Sequence, residues 1–307
     1  KKPEPGDEIE IVINNKKERG FLLESYDVGV LLLKLDSGYN LGFKKEDISE
    51  IKVIEKVKKE KKQEELKLSE KKPIIDFYLT GGTISSKLDS KTGGVKDLTD
   101  PQEFFKTYPE IFEKANVRIF SPFMKWSENM NSKDWIRLAK LVGKSLKDNQ
   151  VKGVIISHGT DFLYYTSSAL SFMLGKLNKP VVLTYSQRSS DRGSSDARLN
   201  LLCSAEMALS DIAEVMIVGH ASTNDDFCYA LRGTKVRKMH TSRRDAFKTI
   251  NTEPIARITP DKIEILKTFN AKDKTRKVKI DTKFQDKVTI IKIHPGQDPA
   301  ILEYYEQ

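Results

Sequence analysis

The feature that most limits how this chain can fold is an alternation that begins at Pro73. Apolar runs recur at Ile74–Leu79, Val117–Phe120, Gly153–Ser157, Val181–Thr184 and Glu214–Gly219, with helical segments between them. Trp135–Ser145 spaces Ile136, Leu138, Leu141 and Val142 as a helix face does, and Asp196–Leu209 reads as another helix. Strand–helix alternation at this pitch predicts an α/β domain with a doubly wound, mainly parallel sheet. Two of the runs lead into glycine-threonine turns, Thr80-Gly81-Gly82-Thr83-Ile84 and His158-Gly159-Thr160-Asp161. Open α/β sheets keep their ligand sites at the carboxyl ends of the strands. Glycine at those ends lets backbone N–H groups approach a small substrate. The two turns therefore mark a candidate active site.

The segments on either side of this domain have a different character. Residues 1–55 read as a small β-barrel module. Its strands fall at Ile9–Ile13, Gly20–Ser25, Val30–Leu35 and Tyr39–Phe43, split by Asn14-Asn15 and Asp36-Ser37-Gly38. Residues 56–72 mix lysine with glutamate, have almost no apolar content and read as a charged linker. The α/β domain spans 73–268, and a polar stretch over 269–285 reads as a second linker. Residues 286–307 hold a strand at Val288–Ile293, the turn His294-Pro295-Gly296 and a short helix. Such a set cannot bury a core alone, so it is expected to be the beginning of a second α/β domain, truncated here.

Composition excludes several classes. No run of about 18 apolar residues is present, so no membrane span is expected. The chain opens at Lys1 without methionine or a secretory signal, and the expected location is cytoplasmic. Cys203 and Cys228 form no disulfide framework, and Cys203 belongs in the core. His158, His220, His240 and His294 lack ligand spacing, so no metal site is expected. Thr80-Gly81-Gly82-Thr83 lacks the glycine pattern of a dinucleotide site. The net charge of +9 is concentrated at Lys56–Lys72 and Arg232–Lys248, a hint of a polyanionic partner.

A threonine hydroxyl attacks poorly at neutral pH unless a base and oriented backbone donors assist it. Thr83 and Thr160 are the candidate nucleophiles by position, with Asp161 as an orienting carboxylate. A lysine serves as base only where neighbouring cations or burial lower its pKa, which points to Lys235 and Lys238 in their arginine-rich segment. Capping of the turns by the same threonines is the structural alternative.

Thr80-Gly81-Gly82-Thr83-Ile84, Ser127-Glu128-Asn129-Met130, Gly159-Thr160-Asp161 and Lys238 occur in the order and spacing of the bacterial-type L-asparaginase/glutaminase family, which the chain resembles. Gln187–Arg192, Ser195-Asp196, Ser210–Met216 and Arg232–Phe247 are similar to the D subunits of archaeal glutamyl-tRNA(Gln) amidotransferases, as is the N-terminal β module. The resemblance implies that Thr83 is the first catalytic threonine, with Thr160, Asp161 and Lys238 as a second group. Ser127 and Glu128 would hold the substrate's α-carboxylate and α-amino ends, and N–H groups near Gly82 and Gly159 would form the oxyanion hole. The implied reaction releases ammonia from glutamine or asparagine through an acyl-enzyme. The implied assembly is a homodimer with an E subunit, which would use ATP and magnesium to amidate glutamate on Glu-tRNA(Gln). No cofactor is implied in the chain itself.

Two positions depart from the family pattern. Ser90 stands where related subunits carry a catalytic tyrosine, and Tyr185 replaces a glycine and is expected to crowd its strand end. Family members also carry a complete smaller α/β domain after His294-Pro295-Gly296, which helps close a neighbour's site. A free-standing asparaginase and a catalytically silent docking relative are the alternative readings.

Overall fold

In a computed structural model of the chain, residues 3–4, 7–23, 25, 27–35, 40–56, 69, 71–88, 95–97, 108–189 and 192–306 are described. The N-terminal module is an antiparallel sheet of five strands: β1 (Glu8–Ile13), β2 (Lys16–Leu23), β3 (Val30–Lys34), β4 (Asn40–Lys44) and β5 (Ile48–Glu55). Their order is β4-β3-β2-β1-β5. Ile9, Ile11, Leu22, Leu31 and Leu33 form its core. The sequence showed four strands and missed β5. That strand lies at an edge with most of its side chains exposed, so its apolar residues do not alternate cleanly.

The α/β domain is built on an eight-stranded sheet. It contains β6 (Ile74–Leu79), β9 (Asn116–Phe120), β10 (Val151–Ser157), β11 (Val181–Thr184), β12 (Val215–His220), β13 (Cys228–Arg232), β16 (Ala256–Thr259) and β17 (Lys262–Ile265). Two small hairpins flank it, β7 (Ser86–Leu88) with β8 (Val95–Asp97) and β14 (Val236–Lys238) with β15 (Phe247–Thr249). The five expected strands are all present and all parallel, in the order β9-β6-β10-β11-β12, and β13, β16 and β17 continue the sheet antiparallel.

Side chains of the parallel strands alternate between two cores. Ile75, Phe77, Leu79, Ile155, Val182, Met216 and Val218 face one layer, which includes helices α1 (Glu110–Lys114) and α4 (Ala197–Leu209). Tyr78, Val154, Ile156, Leu183 and Ile217 face the other, with α2 (Ser132–Lys147) and α3 (Leu163–Leu174). Burial on both faces is why these strands are continuously apolar. Helix α2 starts at a reciprocal cap. The Asn131 side chain accepts from Lys133 N, the Asp134 carboxylate accepts from Asn131 N, and Lys144 and Lys147 sit in the last turn, where the helix dipole favours cations. Cys203 is fully buried, as expected.

One expected element does not form. Among the described residues, 288–293 have no sheet partner, and Val288, Ile290 and Ile293 are 72%, 82% and 85% exposed. A strand depends on a neighbour for its backbone bonds and for an apolar surface, and the described residues supply neither to this segment. A short 3-10 helix, Pro299–Tyr305, follows the turn as anticipated. Most of the lysine-rich linker and Ser90 lie outside the described residues.

Candidate active site

The strand order places the two glycine-threonine turns side by side. From β6 the chain crosses to β9 on one side and then returns past β6 to β10 on the other, so the winding reverses between β6 and β10. Ligands in open α/β sheets bind at such reversals. In the parallel register Leu79 lies opposite Ser157, so both turns leave the sheet at one level. Hydrogen bonds continue the pairing beyond the strands. Thr80 Oγ1 donates to Ser157 O at 2.6 Å, and the Ser85 and Ser157 hydroxyls are 3.0 Å apart.

The glycines bring the turns into backbone contact. Gly82 has φ 85°, and a Cβ there would lie 2.5 Å from Gly159 Cα, far inside contact distance. Gly81, at φ 112°, is pressed in the same way against Lys125, where an added Cβ would be 2.8 Å from the amide nitrogen. Lys125 N donates to Thr80 O, which ties the chain entering the Ser127–Asn129 turn to the end of β6. A Cβ on Gly159 would lie 3.1 Å from the Ser127 side chain. Residues 82, 159 and 127 thus form one contact, with Thr83 and Thr160 each one residue away. Ser127 is buried and its hydroxyl accepts from Phe162 N at 3.2 Å, whereas Glu128 is exposed beside it.

Lys238 reaches this point from the β14–β15 hairpin. Its Nζ donates to Thr160 Oγ1 at 2.7 Å and to Asp161 Oδ1 at 2.8 Å. The lysine side chain is only 8% exposed, the Asp161 side chain is 61% exposed, and Thr160 is buried. Lys235, the other lysine singled out in the sequence, is exposed at the start of the hairpin and makes no such contact. The structure therefore joins Thr160, Asp161 and Lys238 directly, and Thr83, half-buried at the head of a one-turn 3-10 helix, follows Gly82 at its contact with Gly159.

Sequence reading treated His158 as a structural hydrogen-bonder and missed Thr166 and Trp135, which complete a chain through it. His158 is fully buried, with Nδ1 2.7 Å from Gly159 O and Nε2 2.8 Å from Thr166 Oγ1. A carbonyl only accepts, so Nδ1 carries the proton and Nε2 accepts from Thr166. Trp135 Nε1 then donates to Thr166 Oγ1 at 2.9 Å. This chain fixes the carbonyl of the residue preceding Thr160.

Burial holds the His158 pKa down to about 4, against the pull of the Gly159 carbonyl. The unfolded chain binds a proton near pH 6.5 that the folded chain refuses down to about pH 4. Stability is therefore fully present above pH 6.5 and falls as pH drops, by about 3 kcal/mol at pH 4. Urea unfolding at pH 7, 6 and 5 is expected to show this slope, and His158→Gln should reduce it.

Asp196 explains part of the Gln187–Arg192 motif. Its buried carboxylate accepts from Gln187 N (2.9 Å) and Arg188 N (3.0 Å), which shapes the loop after β11. Tyr185 does not crowd the strand end. It is fully buried, its hydroxyl donates to Arg244 O at 2.9 Å, and Gly219 on β12 leaves room for its ring. Among the described residues no group of three or more His, Cys, Asp or Glu side chains is arranged to hold a metal, and no helix is long and apolar enough to cross a membrane.

The chain is similar to known proteins in both its N-terminal module and its α/β domain. Residues 75–270 match the family "Asparaginase, N-terminal", and residues 3–54 match "GatD N-terminal domain". The chain is 45% identical over 312 positions to the D subunit of glutamyl-tRNA(Gln) amidotransferase from Pyrococcus furiosus, covering 98% of this chain and 71% of that protein. The corresponding protein of Thermococcus kodakarensis is 45% identical over 310 positions, covering 97% and 70%. The chain belongs to the family of glutamyl-tRNA(Gln) amidotransferase D subunits. Solved structures agree on the fold of its α/β domain. The thermostable L-asparaginase from Thermococcus kodakarensis superposes with a TM-score of 0.65 at 26% identity, over 75% of this chain and 67% of that one. L-asparaginase I from Vibrio cholerae gives 0.65 at 27% identity, over 76% and 68%. As a member of the D-subunit family, the chain is an asparaginase-type amidohydrolase subunit that carries its own N-terminal β module.

Proposed function

We propose that this chain releases ammonia from glutamine, or from asparagine, for use by a partner subunit that amidates Glu-tRNA(Gln). The observation that carries this reading is the contact of Lys238 Nζ with Thr160 Oγ1 and Asp161 Oδ1 beside the Gly82–Gly159 backbone contact. Lys238 serves as the base for the Thr160 hydroxyl, and Asp161 holds its amine in place. Thr83 attacks the amide carbon and passes its hydroxyl proton to Thr160 as Thr160 hands its own to Lys238; the same path returns a proton to the leaving nitrogen, the C–N bond breaks, and ammonia departs. Water then cleaves the acyl ester on Thr83 to give the acid. Backbone N–H groups at Gly82 and Gly159 face the developing oxyanion, and Ser127, Glu128 and Asp161 hold the substrate's charged ends.

Ammonia is useful to an ATP-dependent amidation only if it reaches that reaction before escaping as ammonium. This is the chemical reason for a complex with an ATP- and magnesium-using E subunit, while assembly as a homodimer rests on the family resemblance, in which a neighbour's smaller domain helps close each site. The N-terminal module supports this reading over a free-standing asparaginase, because residues 3–54 match a domain named for the amidotransferase. We place the α/β boundaries at 73–268, with linkers over 56–72 and 269–285, and place the reaction in the cytoplasm, where charged tRNA is found.

The test is ammonia release from glutamine and asparagine, with and without the E subunit and Glu-tRNA(Gln). A rise in the complete mixture supports the proposal. Equal release in both favours a plain amidohydrolase, and silence in both rejects the reaction. Thr83→Val should abolish release and leave the far-ultraviolet circular dichroism unchanged. Full activity in that variant would remove Thr83 from the mechanism.

A further inference from the structure

The β14–β15 hairpin is an appendage to the main sheet, yet it carries Lys238. What fixes it is therefore what fixes the proposed base. Near its start, Ser167 and Ser168 of α3 both donate to Gly233 O, at 2.9 and 3.1 Å. Near its far end the Arg244 guanidinium donates to Asp225 and to Ser194 O, and the apolar anchor is Tyr185, at the carboxyl end of β11. The Tyr185 ring packs on Phe247 with centroids 4.5 Å apart, and Phe247 is the register partner of Lys238 across the hairpin. The Tyr185 hydroxyl donates to Arg244 O in the loop joining β14 to β15. Burial pushes the phenol pKa up, so it keeps its proton and remains a donor.

This contact needs a second residue. A Cβ on Gly219 would lie 2.5 Å from Tyr185 Cζ and Oη, so the ring fits only because β12 carries glycine at that position. Large side chain and vacant neighbour fill one space between adjacent strands, which is the complementarity expected of a position that sets geometry. Positioning matters at this scale, since an error of about 1 Å at a catalytic group lowers the rate about a hundredfold.

We propose that Tyr185, seated against Gly219, is a positioning residue that holds the hairpin so that Lys238 meets Thr160 and Asp161. The inference rests on the reaction proposed above for its catalytic consequence, but not for its structural one. Among the described residues the hydrogen bonds and ring contacts of Tyr185 run to Arg244, Asn200 and Phe247 rather than to Ser127, Glu128 or Thr83, so its loss should leave substrate binding in place and slow the chemical step.

The experiment compares the full chain with Tyr185→Phe and Tyr185→Gly, assembled with the E subunit. Ammonia release is measured for kcat and KM, and amide hydrogen exchange is followed across the chain. Tyr185→Phe loses only the hydroxyl and should lower kcat about fivefold, with KM within twofold. Tyr185→Gly loses the ring and should lower kcat fiftyfold or more. In both variants the amides of β14 and β15 should exchange at least tenfold faster, with β6 and β10 unchanged. If Tyr185→Gly fails to fold, Tyr185→Phe carries the same test.

The proposal is overturned if hairpin exchange stays at the wild-type rate, or if exchange rises equally throughout and kcat per folded molecule is unchanged. If the wild-type chain releases no ammonia at all, the reaction reading fails. Exchange confined to the hairpin then still decides whether Tyr185 holds Lys238.

Discussion

Lys238→Ala is expected to lower ammonia release at least about a thousandfold, yet to move the melting temperature by only a few degrees. The two effects separate because the lysine does two unequal things. Its amine is the group in contact with both Thr160 Oγ1 and Asp161 Oδ1, and loss of a positioned acid–base group lowers rates by about 10² to 10⁴. Its ion pair stabilises the fold little, because the Asp161 side chain is 61% exposed and water screens the charge. Truncation also leaves no buried charge behind, since Asp161 simply returns to solvent. Steady-state ammonia release and a thermal melt on the same sample decide the matter. Activity within tenfold of wild type would remove Lys238 from the reaction, and a collapse in melting temperature would make it a structural residue.

Gly82→Ala is expected to destabilise the chain by about 3 kcal/mol or more and to abolish activity in whatever fraction folds. Two independent terms add. An alanine at φ 85° is strained by about 1–2 kcal/mol, and its Cβ would overlap the Gly159 backbone at 2.5 Å from Cα. Backbone cannot move aside as a flexible side chain can, so the two turns must separate, and Thr83 and Thr160 would separate with them. Gly193→Ala is the control, since its Cβ would meet nothing within 4 Å. Equilibrium denaturation of both variants checks the difference. A Gly82→Ala chain as stable and active as Gly193→Ala would show that the turns do not depend on this contact.

Much of the scaffold was legible because its signals are local. The five parallel strands are apolar along their length because both faces are buried, and that pattern needs no knowledge of strand order. The turn motifs were legible for a related reason: glycine before threonine at a strand end marks a backbone that must approach something closely. The edge strand β5 was missed because an exposed strand has no strict period to detect. Residues 288–293 have an apolar sequence fit for a strand, but strand formation depends on a partner that the local sequence cannot supply.

The site was legible as a set of residues rather than as an arrangement. The sequence by itself determined the alternating α/β pattern, the two glycine-threonine turns and a short choice of threonines, carboxylates and lysines. Residue chemistry left Lys235 and Lys238 open and the family resemblance named Lys238, but only the tertiary structure puts Lys238 on Thr160, because that contact depends on how the hairpin is hung from α3 and β11. It also decided that Tyr185 is accommodated, since the space for its ring comes from Gly219 on the neighbouring strand. The buried path from Trp135 through Thr166 and His158 to the Gly159 carbonyl likewise exists only when α2, α3 and β10 are packed together. The physical reason is range. Periodicity and turn chemistry are set by residues a few positions apart, whereas the contacts of the candidate site join segments brought together by the reversal of strand order between β6 and β10.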